Sequence, residues 1–217
     1  MMAIDTTLRD ALSAVTTASL VRALTRTGVT AFHPRGLSGR GGGSAIGTAY
    51  TLRMIPARND GAGDVAAAID AVPQGAVVVI DAAGSGLALP FGSILAARLA
   101  QRGVAALVTD AALPEEVSLP VWCAPEAGSG ALALVGTQQP VCCGGAAIHP
   151  GDIVVCAPGG VVALPADMAE RLALEAVEQQ RLDLWIQREV EKGETLASLL
   201  PPDAAAMARF EAETKPG

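Results

Sequence analysis

Residues 77–116 read VVVIDAAGSGLALPFGSILAARLAQRGVAALVTDAALPEE. The apolar run Ala76–Ile80 has the length of a buried strand, and so has Val104–Thr109. Between them Leu95, Ala96, Leu99, Ala100 and Gly103 recur at helical spacing, while Arg98, Gln101 and Arg102 fall on the opposite face. A half-buried helix from Gly92 to Gly103 between two apolar strands is a βαβ unit, normally a right-handed crossover in a parallel sheet. The glycine-containing loop before that helix opens its N-terminus at Gly92, Ser93, Ile94 and Leu95, where unpaired backbone N–H groups suit a carboxylate or phosphate. The strand that follows brings Asp110, and then Glu115 and Glu116, to the same sheet edge. Carboxylates beside an anion cradle are the minimum equipment for metal-assisted chemistry on a small oxo-acid.

Outward from this unit, Thr16–Thr27 reads as a helix that Gly28 can end, and Gly47–Ile55 as a strand. Asp64–Val72 reads as a short helix. His33–Gly43, HPRGLSGRGGG, has too many glycines to pack and reads as a loop. It resembles a phosphate-binding loop only in being glycine-rich: it carries no GxxxxGK[ST] and follows no strand, which makes that reading weak. From Leu119 onward short apolar runs alternate with Gly, Pro and Asp turns: Leu119–Cys123, Ala131–Val135, Val141–Ile148, Ile153–Cys156 and Val161–Leu164. The last stretch is helical, starting near Asp167 and Glu170 and carrying an apolar stripe of Leu182, Trp185, Ile186 and Val190. Gly193 closes it and Pro201-Pro202 opposes its continuation. The expectation is an α/β domain with a β-rich half over residues 1–165 and a C-terminal helical arm over 166–217. That arm either folds back on its own domain or packs on a neighbouring subunit.

Composition narrows the function. Hydrophobic residues make up 51% of the 217 and aromatics 3%, so the expected core is aliphatic, and the composition argues against a base-stacking platform. A net charge of −7 disfavours phosphate-backbone binding, hence no nucleic-acid partner. Arg22, Arg26, Arg35 and Arg40 form a loose basic cluster, read as solvated surface. No apolar run reaches membrane-spanning length, and MMAIDTTLRD lacks a secretory pattern, so the expected location is cytoplasmic, with no membrane partner. Cys123, Cys142, Cys143 and Cys156 lack CxxC spacing and read as buried free thiols. A base role for His149 is weaker than a turn role beside Pro150. A nucleophilic role for Cys142 or Cys143 lacks an identifiable paired base.

The segments GTAYTLRMIPARND, VVVIDAAG, FGSILAARLAQRGVAALVTDA, LPVWC, PVCCGGAAIHPGDIVV and GGVVALP, in this order, resemble the RraA-like family. That family includes regulators of ribonuclease E activity and class II aldolases acting on 4-hydroxy-4-methyl-2-oxoglutarate. The resemblance implies a compact α/β fold assembled as a homotrimer or a hexamer, with sites between subunits. It also implies a small 2-oxo acid substrate whose carboxylate is held by the turn at Gly92, Ser93, Ile94 and Leu95. An Arg-Asp pair would complete the site, the Asp anchoring magnesium or manganese, which acts as Lewis acid on the pyruvate enolate.

Counting from Val108-Thr109-Asp110, that pair falls on Leu113 and Pro114, which supply neither charge nor metal ligand. Cys156 stands where the family usually carries an aspartate, and Ser93 where the aldolases often carry an acid. The reading is a carbon–carbon lyase, by retro-aldol cleavage or oxaloacetate decarboxylation, with an altered metal site. Glu115 or Glu116 would take the metal carboxylate's place and Asp110 or Asp60 would assist; Arg98, Arg58 or a neighbouring subunit would supply the positive charge. For Glu115-Glu116 a solvated loop tip is the competing reading. The alternatives in function are a non-catalytic binding protein of the ribonuclease E inhibitor type, or a metal-independent enzyme that reuses the cradle.

Overall fold

A computed structural model describes residues 4–28, 32–40, 43–58, 63–113, 116–125, 128 and 130–214. The chain runs α1 (Thr6–Ser13), α2 (Thr17–Arg26), β1 (Ser38–Arg40), β2 (Ala45–Pro56), α3 (Val65–Asp70), β3 (Val77–Asp81), α4 (Gly92–Gln101) and β4 (Ala106–Ala112). It continues through β5 (Val121–Ala124), β6 (Leu132–Thr137), β7 (Val141–Cys143), β8 (Ala146–Ile148), β9 (Ile153–Ala157) and β10 (Gly160–Leu164). The helices α5 (Ala169–Glu191), α6 (Leu196–Leu199) and α7 (Ala204–Thr214) follow. No described helix is long and apolar enough to cross a membrane.

One sheet carries the order β1-β5-β4-β3-β2-β9-β10, with β6 also paired to β2, and β7 with β8 forms a separate hairpin. The expected βαβ unit is present: β3 and β4 are parallel with Val77 opposite Ala106, and α4 connects them. Strand β2 is parallel to β3, and β5 is parallel to β4, so four neighbouring strands end at one edge. Alternation then sorts the side chains. Val78, Ile80 and Leu107 pack with Ala68 and Ile69 of α3 and Leu95, Ala96 and Leu99 of α4. Val77, Val79 and Val108 face the other way, onto Trp122, the β7–β8 hairpin, and Val154 and Cys156 of β9. Although β5 and β9 are well separated in the sheet order, Trp122 Nε1 donates to Ala157 O at 3.2 Å. The sheet therefore curls around this second cluster. The outer face of β9 and β10 (Ile153, Val155, Val162, Leu164) is covered by α1, α2 and the first half of α5.

Several sequence expectations needed correction. Helix α1 and strand β1 were not anticipated; β1 pairs with β5 inside the glycine-rich segment, and Gly39 there sits against the Trp122 ring, where an added β-carbon would lie 3.0 Å from Nε1. Val141–Ile148 is not one strand but two, because Gly144 and Gly145 both take positive φ (+55° and +78°). Two successive left-handed residues make the tight turn whose twist matches a hairpin. The stripe around Trp185 is covered within the chain: Trp185 and Ile186 pack with Leu199, Ala206 and Phe210 of the arm itself.

Candidate functional site

Strand β3 ends in Asp81, and Asp110 lies two residues before the end of β4 at Ala112; both side chains are buried. Above them opens a cavity of about 580 Å³ lined by both aspartates, Arg35, Arg53, Cys142 and the glycines of the loops following β3 and β7. A crevice outside the carboxyl ends of parallel strands is where open α/β sheets take ligands. Arg53 projects from β2 directly beside Asp81 in the sheet register. Arg35 approaches from the segment before β1: its backbone N–H donates to Gly144 O at 2.9 Å, and its guanidinium lies against Gly145. Both arginines are exposed, and neither forms an ion pair among the described residues.

The two carboxylates are occupied by main chain. Asp110 Oδ1 accepts from Ala82 N at 2.6 Å, and its Oδ2 accepts from Gly84 N at 3.0 Å and Gly144 N at 3.5 Å. Asp81 Oδ1 accepts from Ala83 N at 2.7 Å, and its Oδ2 from Cys142 N at 3.2 Å. Burial, reinforced by the negative charge of Asp110, pushes the Cys143 thiol well above its ordinary pKa. Cys143 is thus an inert core thiol. Cys142, expected to be buried, is exposed and lines the cavity.

The expected site residues are dispersed. Asp110 lines the cavity, but Gly92, Ser93, Ile94 and Leu95 are not among its walls. Their turn begins after Phe91, which is left-handed (φ 54°) and gives no side-chain cap, so the first N–H groups of α4 stay open. Phe91 and Ile94 beside them are 73% and 66% exposed. Arg98 lies on the outer face of α4 and pairs with Asp70 at 2.7 Å, outside the cavity walls. Glu116 is exposed on the loop after β4; Glu115, Pro114 and Asp60 lie outside the described residues.

Leu113 is wholly buried in the apolar cluster beneath α4. A buried leucine at this position supplies no positive charge to the cavity. Arg40 donates to the Leu113 carbonyl. Cys156 likewise faces the inner cluster, where burial raises its thiol pKa far beyond the ordinary range.

The donor set gives a resident divalent ion little to bind. Among the described residues no three His, Cys, Asp or Glu side chains stand together. Both cavity carboxylates already accept backbone N–H bonds on each oxygen. The described residues therefore do not fit a metal centre. Sequence reasoning missed Arg35, Arg53 and Asp81. The available signal was the repeated pattern of an apolar run ending in Asp, VVVID and LVTD, on adjacent strands.

The family model for RraA-like proteins, described as Aldolase/RraA, matches residues 7–163. Over 145 residues the chain is 28% identical to a putative 4-hydroxy-4-methyl-2-oxoglutarate aldolase of Halalkalibacterium halodurans, covering 64% of this chain and 68% of that protein. Over 161 residues it is 26% identical to Protein DlpA of Legionella pneumophila, covering 70% of this chain but 26% of the relative's length. Among solved structures it is similar to Streptomyces coelicolor RraAS2, which is described as an unusual member of the RNase ES inhibitor RraA family. The TM-score is 0.74 at 26% identity, covering 89% of this chain and all of that one.

Proposed function

This chain belongs to the RraA-like family, and we propose that within it the protein is a lyase acting on a small 2-oxo acid at the cavity bounded by Arg35, Arg53, Asp81 and Asp110. The observation that carries the reading is the pair of guanidiniums, Arg35 and Arg53, without an ion-pair partner among the described residues, over a glycine-walled crevice at the carboxyl ends of the parallel strands. Retro-aldol cleavage to pyruvate and decarboxylation of oxaloacetate share one demand: negative charge grows on the C2 oxygen as the carbon–carbon bond breaks. A guanidinium aimed at that oxygen, with the second holding the carboxylate, stabilises the enolate more than the ground state. The similarity to a putative aldolase supports the same class of substrate. Because the described residues do not fit a metal, no step here runs through one.

A homotrimer or hexamer belongs to this proposal. Phe91 and Ile94, exposed beside the open N-terminus of α4, are apolar side chains that a neighbouring subunit would cover. Sedimentation velocity tests the assembly. Activity is tested by pyruvate release from 4-hydroxy-4-methyl-2-oxoglutarate and from oxaloacetate, with manganese or with EDTA, for the natural chain and Arg53→Gln. Turnover in EDTA that Arg53→Gln abolishes supports the reading. No pyruvate under either condition overturns it, and turnover that requires manganese moves the site to residues other than these.

A further inference from the structure

We propose that Asp81 and Asp110 are positioning residues that latch the loop after β3 to the β7–β8 hairpin and thereby place Arg35, rather than groups that hold a metal or move a proton. The latch concerns the shape of the cavity; only its ligand assay rests on the oxo-acid reading above.

Ala83 and Gly84 follow β3 with φ of 56° and 59°, and a left-handed alanine is unfavourable by about 1–2 kcal/mol. Successive N–H groups in such a turn converge into a concavity that binds anions. Here the anion is internal: the Asp110 carboxylate receives Ala82 N and Gly84 N, and Asp81 receives Ala83 N. A substrate carboxylate therefore cannot use this nest without displacing a buried side chain. Recognition falls to the guanidiniums instead.

The same carboxylates reach across to the hairpin. Asp81 accepts from Cys142 N at 3.2 Å, and Asp110 makes a longer contact to Gly144 N. Gly144 in turn accepts the backbone N–H of Arg35, whose side chain rests against Gly145. A continuous chain of contacts thus leads from Asp81 and Asp110 to Arg35. Arg53 is outside that chain, being fixed by the β2–β3 ladder.

Asp110→Asn tests this, because an amide must present NH₂ to one set of N–H donors that the carboxylate accepts. The probe is oxalate, a planar dianion resembling the pyruvate enolate, titrated into the full-length protein. Removing a negative charge from an anion site by itself tightens anion binding. The latch predicts the opposite sign, a Kd about tenfold weaker. It also predicts that Asp110→Asn adds nothing to Arg35→Gln but adds fully to Arg53→Gln. In NMR spectra of the natural chain, the amides of Ala82, Ala83, Gly84 and Cys142 should exchange slowly with solvent, and Asp110→Asn should shift Ala82 and Gly84 upfield.

Tighter oxalate binding in Asp110→Asn, additivity with Arg35→Gln, or fast exchange of those amides in the natural chain overturns the proposal. So does manganese binding by the natural chain that Asp110→Asn abolishes. If Asp110→Asn fails to fold, Asp81→Asn and the natural-chain exchange rates decide. If the natural chain binds no oxalate, the oxo-acid reading fails while the amide measurements still judge the latch.

Discussion

Replacing Gly144 by alanine separates two costs that the hairpin turn carries, because Gly145 beside it provides the control. Both residues are left-handed, so an added β-carbon at either position is unfavourable by about 1–2 kcal/mol. At Gly145 that carbon meets nothing closer than the movable Arg35 guanidinium at 3.7 Å. At Gly144 it would lie 2.8 Å from Arg35 O, 3.0 Å from Arg35 N and 3.1 Å from Pro34 Cβ. Backbone cannot swing aside as a side chain does, so Gly144→Ala carries a further overpacking cost of about 1–3 kcal/mol. The expected destabilisation is about 1–2 kcal/mol for Gly145→Ala and about 2–5 kcal/mol for Gly144→Ala. Urea unfolding with unchanged m-values reads both. Oxalate titration adds a functional check, since only Gly144→Ala displaces the Arg35 backbone. Equal destabilisation by the two variants, or a smaller effect at Gly144, would refute the placement of Arg35 against the turn.

Other consequences can be measured independently. Trp185 is buried edge-on to Phe210 at 5.9 Å and donates to Glu213 at 2.9 Å, so Trp185→Ala should cost about 3–5 kcal/mol. Proteolysis should then open α6 and α7 first, and an arm as resistant as the natural one contradicts its separate core. Burial raises the pKa of Asp152 above 3.8. Its folded form holds more protons than the unfolded chain, so its contribution to stability is full at lower pH and is lost as pH rises through the folded value. Asp152→Asn, which keeps an oxygen for the His149 N–H, should remove that part of the decline in thermal midpoint across the acid range; an unchanged profile is the contrary result. Of the four cysteines Cys142 alone is exposed, so one thiol should react with a maleimide before unfolding, and oxalate should slow it. Rapid reaction of more than one would show that the inner cluster is accessible.

The central βαβ unit was legible because its signals are local. Val77–Ile80 and Leu107–Val108 are too apolar for any exposed setting, and the helix between them has a clean polar face. The hairpin was not legible: Gly144-Gly145 sits in an apolar run, and only the positive φ of both residues, fixed by contact with Arg35, reveals a turn. Arg35 itself looked like surface charge because nothing nearby in sequence announces the cavity; β1 and the hairpin bring it there from opposite halves of the chain. Asp110 was singled out for its carboxylate, yet its partners are backbone N–H groups at Ala82, Gly84 and Gly144, which no spacing rule encodes.

Strand β2 has a consequence for how the chain reaches this structure. Its residues pair with β3 just downstream, with β6 later, and through Ala45–Thr48 with β9 near the end of the domain. Thr48 and Ile153 are roughly a hundred residues apart, so this ladder closes only after a large entropic cost of loop closure has been met. A nascent chain released only as far as β6 leaves Ala45–Thr48 without its β9 ladder, open to intermolecular pairing. Synthesis beyond Ala157 removes that hazard, and the slowest folding step should be the arrival of β9 rather than formation of the helices.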